Sequence, residues 1–399
     1  MALLERPRRH PQLRVAFGPE GDLWLELGER QVHASRELLD LVLLLDGERT
    51  RAELAATLPV EGASEAAQGL LLDQLLGRLA EAGLLASEHD DEEPYFSGYA
   101  HPAVHRTMLQ DESRTIAFRQ ALEEVVSAGD VVCDLGAGSG ILSLFAAQAG
   151  AARVHALEAS PLADAVVEIV ARNGKSDVIQ VHRGLGEEVE LGEPVDVLVS
   201  EWLGHFVSTE GMWASVAKLR ERSLKPGGAI VPSRVTWYLA PVGPELLEEG
   251  PGYWDAPRYG CDLSPLKAEE VARLQSEVRV ILAGALLHPG LPLAELDCAR
   301  AGPEEAWIDV ELTFRCERAG PLSGFCGWFD AQLSPSVLLD TSPSAPLTHW
   351  QQHWFPLPPR EVAEGDELEV RLVIEPSEAD ERSPTYRLWV DGQETVYPR

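Results

Sequence analysis

Along the first 86 residues, the repeat of apolar residues changes from every second position, typical of strands, to about every 3.6 positions, typical of helices. Short alternating runs separated by glycine turns predict three strands. Helical patterns follow, with Ser35 and Thr50 as N-caps of the first two. The predicted strands cover 12–17, 23–27 and 31–34, and the predicted helices cover 36–45, 51–58 and 66–81. Small strands followed by three short helices predict a winged-helix domain over 1–86.

The pattern changes after the acidic segment SEHDDEEP, residues 87–94, which predicts a solvated linker. A helical stretch runs from Pro102 to about Ser127, and apolar strands then alternate with helices as far as Pro232. The predicted strands are VVCDLG, VHALEA, VIQVHRG, VDVLVSEW and AIVP. Apolar strands flanked by helices are typical of a parallel sheet covered on both faces, so 95–232 predicts a doubly wound, Rossmann-like α/β domain.

Beyond Pro232 the helical periodicity largely stops, and β-rich runs are separated by proline and glycine. These runs are 310–316, 323–333, 350–357, 368–374 and 386–390. They predict an antiparallel domain over 233–399, either a β-barrel, which we favour, or a sandwich. A less regular insertion, 244–277, carries the aromatic pairs Tyr253-Trp254 and Tyr259-Gly260 and is a candidate docking arm.

The charge and cysteine content of the chain exclude some classes of function. The chain has 33 Lys+Arg and 65 Asp+Glu, and a formal net charge of −32. Such acidity argues against a nucleic-acid groove or an anionic membrane surface, and it suits either attraction of a basic polypeptide or simple solubility. No apolar run reaches a membrane span and the start lacks a signal peptide, so we expect a cytoplasmic protein. The 5 cysteines include no C-x-x-C pair, which predicts neither a disulfide framework nor a metal site.

A glycine-rich turn follows the first strand of the predicted α/β domain. It reads Asp134-Leu-Gly136-Ala-Gly138-Ser-Gly140, and Glu158 ends the next strand. Glycines let a ligand approach the backbone, and a carboxylate such as Glu158 can accept both ribose hydroxyls of a nucleoside. The next position of a dinucleotide fingerprint is Ile141 here, which weakens a nicotinamide interpretation. The turn resembles motif I of S-adenosylmethionine-dependent methyltransferases, although such turns also occur as purely structural features.

Two glutamates share the segment VSEWLGHFVSTEGM, residues 199–212, which we call the glutamate loop. Glu201 and Glu210 lie among Trp202, Phe206 and other apolar residues, where unpaired carboxylates are costly. A bound guanidinium resolves this conflict, because its planar fork can donate to both carboxylates. The alternative for Glu210 is capping of the following helix or pairing with an internal Lys or Arg.

The glutamate loop resembles that of protein arginine methyltransferases, and further ordered segments agree. They are Tyr95-Phe96-Ser-Gly-Tyr99, 105–115 (HRTMLQDESRT), ALEAS at 156–160, GLGEEVEL at 184–191 and Thr348-His349-Trp350. The resemblance covers about 94–399. Pro102 and His205-Phe206 depart from the family pattern.

The resemblance implies a role for each matching residue. On the side of S-adenosylmethionine, it assigns Arg114 to the carboxylate, Asp134 with the glycines to the amino group, Glu158 to the ribose and Glu187 to the adenine. On the other side, it assigns Glu201 and Glu210 to the target guanidinium, His349 and Asp111 to an ionic pair, and Tyr99 and Trp350 to the walls of the site. Taken alone, His349 is more typical of a core histidine than of a catalytic one, and Trp350 is also typical of a packed aromatic. S-adenosylhomocysteine is the implied product.

Met108 and Met212 resemble the methionine pair of type I enzymes, one beside the cofactor and one beside the substrate. This resemblance implies asymmetric dimethylation, although methionine is also a common core residue. The insertion 244–277 stands where the family forms a homodimer. A homodimer is therefore implied.

The first 86 residues carry a second resemblance. LLLDGERTRAEL and EAGLL are similar to the peptide-chaperone family of pyrroloquinoline quinone biosynthesis and to related leader-peptide recognition domains. A leader peptide is the implied ligand, and a packing domain without a ligand is the alternative. Two other functions stay open for the whole chain: methylation of a peptide natural product or small guanidine compound, and a non-enzymatic cofactor-binding regulator.

Overall fold

The computed structural model describes most of the chain after residue 100 and parts of what precedes it. The described residues are 9, 13–17, 23–27, 30–34, 36–45, 49–57, 68–69, 72–73, 75–76, 79, 84–85, 101–206, 211–243, 251–271, 273, 275–377 and 384–397. The chain divides into two compact units, Met1–Tyr99 and Ala100–Arg399. The predicted linker, 87–94, lies outside the described residues, and the predicted domain boundaries stay predictions.

The first unit is built from an antiparallel sheet and short helices. The strands are Arg14–Phe17 (β1), Leu23–Leu27 (β2) and Arg30–Ala34 (β3), and they pair in chain order. The helices Arg36–Leu44 (α1) and Arg51–Thr57 (α2) follow. The described residues between 68 and 79 are helical, as the apolar period predicts. Leu25, Leu54 and Leu76 are fully buried in a core of this unit's own. The winged-helix assignment and the peptide-chaperone resemblance stay predictions.

The second unit begins with the predicted α/β sheet. Its five strands are Val131–Leu135 (β4), Arg153–Glu158 (β5), Ile179–Arg183 (β6), Val195–Val199 (β7) and Leu224–Val231 (β8). They lie in the order β6-β5-β4-β7-β8, and every neighbouring pair is parallel. The strand order reverses between β4 and β7, and ligands of open α/β sheets bind where that reversal occurs. The doubly wound fold is confirmed.

The helices of this domain follow the predicted pattern with one difference. They are Pro102–Gln110 (α3), Glu112–Val125 (α4), Ile141–Ala149 (α5), Ala163–Arg172 (α6) and Trp213–Ser223 (α7). The predicted stretch from Pro102 to Ser127 is two helices, not one. Asp111 interrupts it, because its backbone leaves the helical region (φ −74°, ψ 87°) and its side chain caps α4 by accepting from the Arg114 N–H.

The remaining strands form two antiparallel sheets, as predicted. The strands are Arg234–Val242 (β9), Glu277–Arg279 (β10), Leu291–Asp297 (β11), Ile308–Arg315 (β12), Gly320–Gln332 (β13), Leu338–Asp340 (β14), Gln352–Val362 (β15), Glu367–Pro376 (β16), Pro384–Val390 (β17) and Gln393–Tyr397 (β18). One sheet has the order β10-β15-β13-β9-β11 with β14 paired to β13, and the other has the order β12-β16-β17-β18. The five predicted β-rich runs correspond to β12, β13, β15, β16 and β17.

Short helices connect these strands. The described part of the insertion 244–277 contains a 3₁₀ turn at Pro251–Asp255 and helix α8 at Pro265–Val271. Two further 3₁₀ turns are Ala283–Ala285 and Pro303–Ala306. Across the described residues, no helix is both long and apolar enough to cross a bilayer.

Candidate active site

Asp111, at the break between α3 and α4, lies at the centre of a polar cluster. Its Oδ1 accepts from the Arg114 backbone N–H at 3.0 Å, and its Oδ2 accepts from the His349 backbone at 2.8 Å and from His349 Nδ1 at 2.9 Å. Burial raises the pKa of Asp111, but these hydrogen bonds outweigh burial and leave it below its usual value. Asp111 is therefore a carboxylate at neutral pH, and the predicted pair with His349 is present.

Arg114 and Glu201 form a buried ion pair beside this cluster. Arg114 donates to Glu201 Oε2 from Nη2 at 2.7 Å and from Nε at 3.2 Å, and the two side chains are 7% and 10% exposed. Met108 Sδ lies 3.9 Å from the same Nη2. Sequence reasoning assigned Arg114 and Glu201 to different ligands and did not predict this pair. Glu201 thus accepts two N–H groups of the Arg114 guanidinium through one carboxylate oxygen.

The segment Thr348-His349-Trp350, which we call the THW loop, closes this side of the cluster. Trp350 is 2% exposed and donates from Nε1 to the Leu203 carbonyl at 2.5 Å. Its indole packs edge-on against Phe329 of β13. Trp350 is therefore both packed and joined to the glutamate loop, while His349 faces Asp111.

The glycine turn after β4 has the backbone that its sequence predicts. Gly136, Gly138 and Gly140 have φ of 75°, 55° and 76°, a region that favours glycine. A Cβ at Gly138 would lie 2.8 Å from His105 Cε1 of α3, so this position has no room for a side chain. The turn leads directly into α5, whose N-terminus suits a negatively charged group.

Asp134, at the end of β4, is fully buried. Its Oδ2 accepts from Ser143 Oγ at 2.6 Å, and its Oδ1 has no hydrogen-bond partner among the described residues. Burial raises the pKa of Asp134 to about 6, with the Ser143 hydrogen bonds opposing and the charge of Glu158 adding to the rise. An unpartnered buried carboxylate oxygen fits the ammonium group of the predicted cofactor.

Glu158, at the end of β5, already bonds the glycine turn. Its Oε2 accepts from the Gly138 N–H at 2.7 Å, and its Oε1 accepts from the Ser160 N–H at 2.8 Å. These bonds hold both oxygens at the carboxyl end of the sheet and leave lone pairs for a ribose. Asp134, the glycines and Glu158 thus fit a nucleoside with an ammonium group.

The other predicted residues have different surroundings. Glu187 is exposed and accepts from Ser215 Oγ at 2.8 Å. The Met212 methyl would lie 3.1 Å from a Cβ at Gly136, which places Met212 at the glycine turn. Tyr99 and Glu210 lie outside the described residues, as do Tyr95 and Phe96.

Sequence reasoning missed three contributors. Ser143 binds Asp134, His105 lies over Gly138, and His205 bonds the THW loop. The signal for Ser143 was its place one turn into the helix after the glycines. In the sequence, His205 is recognisable only as a departure from the family pattern.

Comparison with known proteins identifies two family regions in the chain. Residues 233–395 match the arginine methyltransferase oligomerization subdomain, and 115–234 match the ribosomal protein L11 methyltransferase family. The boundary between the two matches falls where β8 gives way to β9.

Individual relatives cover about two thirds to three quarters of the chain. The chain is 36% identical over 322 residues to protein arginine N-methyltransferase 6 of Danio rerio, covering 76% of this chain and 91% of that protein. It is 35% identical over 306 residues to a probable protein arginine N-methyltransferase 6 of Arabidopsis thaliana, covering 66% and 70%. Among solved structures, the Trypanosoma brucei PRMT1 enzyme–prozyme heterotetrameric complex with AdoHcy superposes with a TM-score of 0.68 at 28% identity, covering 75% and 98%.

Proposed function

The chain belongs to the protein arginine N-methyltransferase family, and on that premise we propose that it methylates arginine guanidinium nitrogens of a protein or peptide, with S-adenosylmethionine as methyl donor. The observation that carries the proposal is the Arg114–Glu201 pair. It shows that the buried Glu201 carboxylate accepts two N–H groups of a guanidinium at the carboxyl edge of the sheet. S-adenosylhomocysteine is the expected product.

The cofactor side is assigned to residues whose chemistry fits each group. Asp134 takes the ammonium, Glu158 the ribose hydroxyls and Glu187 the adenine edge, while Arg114 takes the carboxylate. Bound S-adenosylmethionine supplies an electrophilic sulfonium methyl group. Arg114 can satisfy that carboxylate and Glu201 together, because a guanidinium offers five N–H donors.

The protein's contribution to the reaction is placement and charge. Arginine is protonated at neutral pH and is a weak nucleophile. Glu201 and Glu210 offset its positive charge and orient one nitrogen toward the methyl group, which is electrostatic preorganisation. Asp111 holds His349 by two hydrogen bonds and accepts a third from the Arg114 backbone N–H, so the Asp111–His349 pair can keep the substrate side closed and accept a proton after transfer.

Finer assignments extend this proposal. Met108 beside Arg114 and Met212 beside Gly136 support asymmetric dimethylation, because neither position carries a bulky aromatic.

The exposed Tyr253 and Tyr259 of the insertion 244–277 support a homodimer formed through that segment. The first unit is assigned to a substrate or leader peptide, and Tyr99 to the wall of the site. A peptide natural product as substrate is the second candidate, favoured by that additional unit.

The test uses the full-length protein, S-adenosylmethionine and arginine peptides, with mass analysis of the products. We expect methylated arginine from the wild type. We expect Glu201→Gln to lower kcat at least about a hundredfold, since removing one preorganised electrostatic contact costs about 3 kcal/mol. Affinity for S-adenosylhomocysteine should change much less. Glu168→Gln, a surface glutamate paired with Arg172 on α6, is the matched control. A Glu201→Gln variant with near-normal turnover would contradict the proposal.

A further inference from the structure

His205 joins the glutamate loop to the THW loop. Its Nδ1 donates to the Trp350 carbonyl at 2.9 Å, and Trp350 Nε1 donates in the opposite direction to the Leu203 carbonyl at 2.5 Å. Two hydrogen bonds therefore cross the same gap in opposite senses. The donation to a carbonyl also fixes the tautomer, because Nδ1 must carry the proton.

These two bonds complete a closed ring around the proposed catalytic groups. Glu201 Oε1 accepts from the Leu203 N–H at 2.9 Å, and Glu201 Oε2 binds Arg114. The Arg114 N–H donates to Asp111, and Asp111 accepts from His349, the neighbour of Trp350. Every member thus has a fixed neighbour on each side, which is how polar networks specify one geometry.

The described parts of the two loops have little regular structure of their own to hold them. Residues 201–204 are neither helix nor strand, and Gln351, directly after the THW loop, has φ 53°, an uncommon conformation for a non-glycine residue. Such a backbone persists when its surroundings over-determine it. On the far side of His205, Phe206 is fully buried in the barrel against Phe355. His205 therefore stands between a fixed anchor and the catalytic carboxylate.

We propose that His205 is a positioning residue for the methyl-transfer reaction: its Nδ1–H holds the THW loop against the glutamate loop, so that Glu201 and His349 keep one spacing. This role rests on the proposed function. It needs a hydrogen-bond donor at the place of Nδ1 and no change of charge.

Two variants separate this role from packing and from proton transfer. His205→Asn keeps a side-chain N–H near the place of Nδ1 but cannot titrate, whereas His205→Leu keeps bulk without a donor. We expect His205→Leu to lower kcat about tenfold, equivalent to one lost hydrogen bond of about 1.4 kcal/mol, with the KM for S-adenosylmethionine within about twofold of wild type. We expect His205→Asn to stay within about threefold in kcat. His288→Ala, which removes another histidine whose Nδ1 bonds a backbone group, is the control.

A second readout does not depend on activity. In the protein without ligand, hydrogen exchange of peptides covering 201–206 and 346–352 should quicken in His205→Leu and stay near wild type in His205→Asn and His288→Ala. Equal kcat in the two His205 variants, or unchanged exchange in His205→Leu, would overturn the role while leaving the proposed function intact. A wild type that methylates no arginine would overturn both.

Discussion

At the scale of single residues, the site pairs its charges before any ligand arrives. Arg114 and Glu201 neutralise each other, and Asp111 is satisfied by His349 and by the start of α4. Asp134 is the exception, because one of its oxygens is buried without a partner among the described residues. A ligand with an ammonium group therefore gains more binding free energy at Asp134 than at the carboxylates that are already paired.

The first prediction concerns Glu158. In Glu158→Gln, one carboxylate oxygen becomes an amide nitrogen, which cannot accept from Gly138 or Ser160 and is a poorer partner for ribose. Losing a hydrogen bond to a charged group costs about 1.5 to 3 kcal/mol, so we expect affinity for S-adenosylhomocysteine to fall about tenfold or more. Calorimetry measures this, with Glu168→Gln as the surface control. Unchanged affinity would remove Glu158 from the cofactor site.

The second prediction concerns pH and Asp134. Burial raises the pKa of Asp134 to about 6, above the usual aspartate value of 3.8. Between those values the folded protein binds more protons than the unfolded chain, so this group's contribution to stability falls as pH rises through that range. Binding of an ammonium needs the carboxylate, so cofactor affinity should rise with pH through about 6.

Calorimetric titrations with S-adenosylhomocysteine from pH 5 to pH 8 check this. We expect affinity to weaken by up to about tenfold per pH unit below the pKa, and Asp134→Asn to bind weakly with little pH dependence. Ser143→Ala removes a hydrogen bond that opposes the rise, so its profile should shift to higher pH. A pH profile in Asp134→Asn that matches the wild type would contradict this assignment.

At the scale of elements, the glutamate loop depends on the barrel strand that it contacts. A Cβ added at Gly327 of β13 would lie 2.7 Å from Phe206 Cε2 and 2.8 Å from Cζ. Phe206 is fully buried and packs near His353, Phe355 and Tyr386, so it has little room to retreat.

The third prediction is that Gly327→Ala destabilises the protein by about 1 to 3 kcal/mol and lowers turnover, because overpacking displaces Phe206 and the loop attached to it. Thermal unfolding and kcat are the measurements. Gly284→Ala is the matched control, since an added Cβ there meets nothing within 4 Å. The double variant Phe206→Leu/Gly327→Ala should regain part of the stability. A Gly327→Ala variant as stable as the wild type would contradict the packing argument.

Element patterns in the sequence predicted this fold unevenly. The parallel sheet was predictable because its central strands β4, β5 and β7 are short runs of mostly buried apolar residues. The three-residue strands β10 and β14 are too short to show a period. Strand β9 alternates buried and half-buried residues at 235–238 and went unpredicted, because its last residues are all buried and hide the alternation. The local sequence pattern therefore predicts the parallel sheet more completely than it predicts the barrel.

The candidate site shows the same limit at longer range. Glycines, Asp134 and Glu158 were predicted from one local turn and the next strand. Arg114 and Glu201 lie 87 positions apart, and His205 and Trp350 lie 145 apart. No spacing in a single sequence reveals such contacts, because they depend on how the barrel packs against the sheet. The resemblance located the residues and implied the His349–Asp111 pair, but only the fold shows the Arg114–Glu201 and His205–Trp350 contacts.

At the scale of the whole molecule, two features bear on the substrate. The net charge of −32 favours encounter with basic polypeptides over long distances, an attraction that salt screens. The first unit has its own buried leucine core, so its removal leaves the core of the second unit complete. Under the proposed function, the first unit binds a substrate peptide and takes no part in the chemistry.

The last prediction is that deletion of 1–86 raises the KM for a full-length protein substrate and leaves short arginine peptides nearly unaffected. The physical reason is effective concentration: a tethered peptide-binding unit makes the second contact intramolecular, which a short peptide does not use. The edge of a three-stranded antiparallel sheet can accept an added peptide strand, whereas the net charge of −32 opposes binding to the phosphates of a duplex. Steady-state kinetics on both substrates, with thermal unfolding to confirm that 87–399 is folded, measure the effect. An equal loss on both substrates would mean that the first unit only supports folding, and tight binding of duplex DNA would contradict a peptide ligand.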